Sequence, residues 1–99
     1  KEPLIRSAMI AKHLRIHGQV QGVGYRQSMQ HVARKFGLTG WVRNQRDGSV
    51  EAIVCGEQTA VLQMLSWARH GPRFALVTQI IVSETECPET SGFDILPIE

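Results

Sequence analysis

The chain has 99 residues, 42% of them hydrophobic and 20% charged, with a formal net charge of +2. This is the composition of one ordinary globular domain, and so small a charge is far too mild to argue for a nucleic-acid or membrane partner by electrostatics alone. No apolar run approaches the roughly 18 residues of a membrane span, and the first residues lack a signal peptide's apolar core and cleavage site, which predicts a cytoplasmic protein.

Residues 1–10 carry no periodic pattern and read as a loose extension, with Met9 a candidate start; residues 11–99 are expected to form a single domain. From His13 to His17 polar and apolar residues alternate, with Leu14 and Ile16 on one face, which predicts a half-buried strand. The strand runs into Gly18-Gln19-Val20-Gln21-Gly22-Val23-Gly24-Tyr25-Arg26. Taken alone this is a tight strand-to-helix connection. It is also a stretch whose backbone is free of Cβ clashes, so that successive N–H groups can curve round one anion. A helix starting near Arg26 adds its unpaired N–H groups and the positive end of its dipole, and Arg26 adds a planar fork suited to two phosphate oxygens. From Gln27 to Phe36, Met29, Val32, Ala33 and Phe36 recur at helical spacing, and Gly37 ends the helix. His31 lies on its polar face and reads as a solvated residue rather than a catalyst.

Thr39–Asn44 and Ser49–Cys55 are β-prone runs separated by Gln45-Arg46-Asp47-Gly48, and Asp-Gly there predicts a hairpin that Gly56 terminates. Val61, Met64, Leu65 and Ala68 mark a second helix stopped by His70-Gly71-Pro72. Ala75 to Ser83 reads as a strand, followed by a polar loop and a last short strand, Phe93 to Leu96. The order βαββαβ, with this terminal strand, predicts a ferredoxin-like α+β sandwich: an antiparallel sheet with two helices on one face and the first strand between the third and fourth. Cys55 and Cys87 lack metal-ligand spacing; they read as packing thiols, with a bridge between them left open. The fold alone does not indicate a function.

Asn44 closes the second strand, where it is a common turn former; in the sandwich that strand end can also approach the glycine loop and hold a water by its amide. At this point two long motifs come together. Gly18-Gln19-Val20-Gln21-Gly22-Val23-Gly24-Tyr25-Arg26 resembles the first signature of the acylphosphatases. Gly40-Trp41-Val42-Arg43-Asn44, continuing to Gly48 and Val50 and followed by Gly56, resembles the second. The resemblance spans about Leu14 to Ile98 and implies a metal-independent, stand-alone hydrolase of acyl phosphates that needs no cofactor. It further implies that Gln21, Gly22, Val23, Gly24, Tyr25 and Arg26 form the phosphate-binding segment, with Arg26 binding the phosphoryl group and Asn44 positioning the attacking water. Gln45 stands where the family varies.

The residue set agrees with that chemistry. A cradle and an amide include no general acid, so an alkoxide would leave poorly, whereas an acyl phosphate expels a carboxylate whose conjugate acid has a pKa of about 4. Positioning and charge stabilisation then suffice for a loose phosphoryl-transfer transition state. The carbamoyl-phosphate domain of hydrogenase maturation factors shares the first motif, but there the arginine precedes Pro-Phe; here Gln27 and Ser28 follow. An RNA-binding sandwich would carry stacking aromatics on its central strands, which Leu14 to Ile16 and Val50 to Val54 lack. A nucleotide-binding P-loop would place Gly-Lys-Ser/Thr after the glycines. The expected partners are therefore a small acyl phosphate and its product orthophosphate, with no nucleic acid and no membrane, acting on a monomer.

Overall fold

The computed structural model describes residues 8–99. Its elements run β1 (Met9–Gln19), α1 (Tyr25–Lys35), β2 (Thr39–Asn44), β3 (Val50–Glu57), α2 (Gln58–Ala68), β4 (Leu76–Glu84) and β5 (Phe93–Ile95). The strands form one sheet in the order β4-β1-β3-β2-β5. β1 pairs antiparallel with both β3 and β4, as the split βαβ pattern predicts.

Alternation along each strand decides what is buried. Leu14 and Ile16 of β1 share a face with Val50, Ala52 and Val54 of β3 and Val42 of β2. Against that face lie Met29 and Ala33 of α1 and Val61, Met64 and Ala68 of α2, all fully buried. Each large side chain removed from water here contributes about 1.5–3 kcal/mol. The opposite face carries His13, Glu51 and Arg43, and Glu51 is its hub. Glu51 accepts from Arg43 Nε at 2.9 Å and from the Gln45 side chain, and lies 2.7 Å from His13 Nε2. Burial pushes its carboxyl up, but the hydrogen bonds and charges of His13 and Arg43 outweigh this and hold it below the usual glutamate range. No described helix is long and apolar enough to cross a membrane.

The structure departs from the sequence expectations in four places. Met9 and Ile10 belong to β1, paired with Glu57 and Gly56; the rest of the expected extension, residues 1–7, lies outside the described residues. Gly56 therefore sits inside β3 rather than ending it. A Cβ there would come 2.5 Å from Leu38 Cδ2, so the missing side chain makes room for Leu38. The sheet is mixed, because β5 runs parallel to β2. β4 finishes at the end of the sheet where β2 begins, and a chain that crosses there to the far edge and turns back must run with β2. Finally, Cys55 and Cys87 are bridged. Cys55 shares a face with Glu51 and Ile53, and the bridge fastens the crossing loop to the end of β3.

Candidate active site

β1 ends at Gln19 and β2 at Asn44, while β3 and β4 begin at Val50 and Leu76, so all four meet at one end of the sheet. The loop between β1 and α1 turns there. Gly22 and Gly24 have φ of 75° and 81°, a left-handed conformation that costs residues with a Cβ about 1–2 kcal/mol. Open space surrounds both, with no atom within 4 Å of an added Cβ. Gly24 is the N-cap of α1, and neither a side-chain cap nor an acidic residue occupies the first turn. The first helical bond to Gly24 runs from the Ser28 N–H, which leaves the N–H groups of Tyr25, Arg26 and Gln27 without intrahelical partners at the positive end of the helix dipole.

The helix begins at Tyr25 because the ring is anchored. Tyr25 is 1% exposed, its hydroxyl donates to the Ala68 carbonyl at 2.8 Å, and its ring meets Trp67 at 5.3 Å. Burial pushes the phenol pKa well up, which keeps it a neutral donor. Its side chain thus joins the start of α1 to the end of α2, and only its backbone N–H is left to the loop. Arg26, next along, is half-buried. Its guanidinium takes part in no ion pair or side-chain hydrogen bond among the described residues. A planar cation without a carboxylate partner at a helix start is chemically able to take an incoming anion.

Asn44 is the last residue of β2, opposite Val50. Its backbone carbonyl accepts from the Glu99 N–H at 3.0 Å, and the Arg46 N–H donates to the Glu99 carbonyl, so the chain's last residue braces it. The hairpin beyond is built around Asp47, whose Oδ1 accepts from the Ser49 hydroxyl at 2.6 Å and the Ser49 N–H at 2.9 Å. The Ser49 side-chain bond is the main reason the Asp47 carboxyl is held below its ordinary pKa, followed by the backbone bond. With the turn so fixed, Asn44 Oδ1 is buried and has no hydrogen-bond partner among the described residues. A buried, unpaired carbonyl acceptor is unusual.

Gln21 brings the two motifs together. Its Nε2 donates to the Gln45 carbonyl at 2.7 Å and the Ser49 carbonyl at 2.9 Å. The expected phosphate-binding segment includes Gln21, and its side-chain Nε2 is committed to the hairpin. Gly22, Val23, Gly24, Tyr25 and Arg26 do lie together at the start of α1, with Val23 packed on the core edge. Sequence reading missed the Gln21 bonds and the Glu99 brace, which join residues far apart in the chain. The Asp47-to-Ser49 turn had a visible signal, an Asp two residues before a hydroxyl residue. Among the described residues no group of three or more His, Cys, Asp or Glu side chains gathers to hold a metal ion.

An α+β sandwich with an open glycine loop, an unpaired guanidinium and an orphaned amide oxygen at one sheet end is suited to a small phosphoryl-bearing substrate. The acylphosphatase family model matches residues 12–95, and the chain belongs to the acylphosphatase family. An acylphosphatase of Azoarcus sp. (strain BH72) is 50% identical over 91 residues, covering 92% of this chain and 93% of its own. The structure of an acylphosphatase from Coxiella burnetii superposes with a TM-score of 0.85 at 33% identity, over 89% of this chain and 93% of that one. HypF from T. kodakarensis is also similar, with a TM-score of 0.77 at 26% identity, over 88% of this chain but 12% of HypF.

Proposed function

We propose how this chain carries out the hydrolysis of acyl phosphates to carboxylate and orthophosphate, the activity that its family membership gives it. The N–H groups of Gly22 to Arg26 surround the phosphoryl oxygens, and the Arg26 guanidinium takes two of them in bidentate fashion. The Asn44 carboxamide orients a water in line with the leaving carboxylate. That water attacks phosphorus, the bond from phosphorus to the acyl oxygen breaks, and the electron pair leaves on the carboxylate. The water's proton passes to a phosphoryl oxygen, so no general acid or base of the protein is required. Charge spread over the equatorial oxygens is met by donors already in place.

The observation that carries this reading is the buried Asn44 Oδ1 without a partner, placed one residue from the carbonyl to which Gln21 ties the loop. A water donating to that oxygen satisfies it and is aimed by it. The test is phosphate release from a panel of acyl phosphates and phosphomonoesters with a chelator present. Turnover of acyl phosphates alone, unaffected by the chelator, is the expected result; turnover of esters alone, or loss of activity on chelation, contradicts it.

A monomeric protein is part of the same proposal and is supported by its size as a single small domain. The Cys55–Cys87 bridge weighs against a reducing compartment. Trapping free thiols by alkylation at the moment of cell lysis decides the location, and sedimentation decides the oligomeric state.

A further inference from the structure

Loop and hairpin belong to separate parts of the sheet. The ladder between β1 and β3 closes at Ile16 opposite Val50, before the loop begins, and Asn44 lies on β2, one strand further away. Among the described residues the hydrogen bonds that join residues 20–26 to residues 44–50 are the two from Gln21 Nε2. Both amide hydrogens are used, one on each arm of the hairpin, at two residues that are themselves bonded by the Gln45 N–H to the Ser49 carbonyl at 2.8 Å. Ser49 is 2% exposed, so the tie fastens to a rigid point.

We propose that Gln21 is a positioning residue, resting on the functional reading above: its carboxamide fixes the separation between the phosphate cradle and Asn44, and hence between phosphorus and the oriented water. A donor with two hydrogens is needed to bridge both carbonyls: a carboxylate or an apolar end at this place offers them nothing, and although each keeps its own bond within the hairpin, from the Gly48 N–H and the Gln45 N–H, the link from the hairpin to the loop is lost. The loop can still wrap an anion when the tie is cut, since the cradle amides and Arg26 lie on its own side. What is lost is registry with Asn44, and misplacement of reacting groups by an ångström costs on the order of 10²-fold in rate.

The experiment compares Gln21→Met, Asn44→Ala and the double variant for acetyl phosphate turnover and for inhibition by inorganic phosphate, per folded enzyme. Gln21→Met is expected to lower kcat roughly 10- to 100-fold while the phosphate inhibition constant stays within about threefold, since the cradle is intact. Because both residues serve one event, the double variant should be slowed no more than the slower single one, whereas independent sites would multiply their losses. Gln21→Glu keeps the shape and serves should the Met variant not fold. Its activity, relative to the unsubstituted chain, should recover as pH falls and the protonated carboxyl regains one donor.

Normal turnover by Gln21→Met beside a slow Asn44→Ala overturns the positioning role alone. Normal turnover by Asn44→Ala overturns the reading of Asn44 and this proposal with it. Multiplying losses, or a folded Gln21→Glu whose deficit does not change with pH, also overturns the tie.

Discussion

The two ends of the sheet are held in different ways. At the end where β2 begins and β4 finishes, a covalent bridge between Cys55 and Cys87 pins the crossing loop. At the other end the loop, the hairpin and Glu99 are held without a covalent link, by the hydrogen bonds of Gln21 and of the Glu99 backbone and by the ion pairs of Arg15 with Asp47 and of Arg43 with Glu99. The first end has its polar groups spoken for or facing water. Among the described residues the second leaves the Arg26 guanidinium without a carboxylate, the start of α1 without a side-chain cap and the buried Asn44 Oδ1 without a partner. On the proposed mechanism a substrate and its water match these groups, which would assign stability and chemistry to opposite ends of one small sheet.

If that division holds, changes at one end should move activity and changes at the other should move stability. The largest effect is expected at Arg26. Arg26→Ala should lower kcat/KM on the order of 10³-fold with a melting temperature close to normal, since the side chain forms no ion pair among the described residues. Arg26→Lys should lose most activity too, because a point charge does not reproduce a bidentate fork. An Arg26→Lys variant with near-normal turnover would break the geometric part of the account.

Reducing the bridge, or replacing Cys87 by Ser, is the mirror experiment. With 32 positions between the cysteines, loop-closure entropy predicts a loss of about 3–4 kcal/mol of stability, read from denaturant melts. The kcat of the folded fraction should not change. A fall in kcat at full folding would show that the far end reaches the site.

Glu51 sharpens the comparison at the smallest scale. Its folded pKa is lowered from 4.5, so it contributes stability above that ordinary value, and the contribution disappears as pH falls through the lowered folded value. Glu51→Gln should therefore cost about 1 kcal/mol near neutral pH, in the range of a partly exposed pair, and flatten the acid limb of a plot of melting temperature against pH. An unchanged acid limb would remove Glu51 as the hub of the open face.

Much of this was legible in the sequence because it is local. Helical spacing located Met29, Ala33, Val61 and Met64 on the buried faces; Asp47-Gly48 marked the hairpin; the two motifs named Arg26 and Asn44. What was not legible depends on which elements become neighbours. The parallel pairing of β5 follows from where β4 ends. The bridge follows from a loop crossing the end of β3, and Gly56 fits inside a strand because Leu38 needs its space. Gln21 was named only as part of the phosphate-binding segment, since nothing in its own neighbourhood announces a carbonyl pair more than twenty positions downstream.

The central claim is that Asn44 acts on the water rather than on the bound phosphate. One preparation of Asn44→Ala, measured for kcat, phosphate inhibition and melting temperature, tests it directly. The account predicts a kcat lowered on the order of 10²–10³-fold, about 3–4 kcal/mol of transition-state stabilisation, with KM, phosphate inhibition and melting temperature near those of the unsubstituted chain. A folded, phosphate-binding variant that turns over at the normal rate, or one that loses only thermal stability, would contradict it.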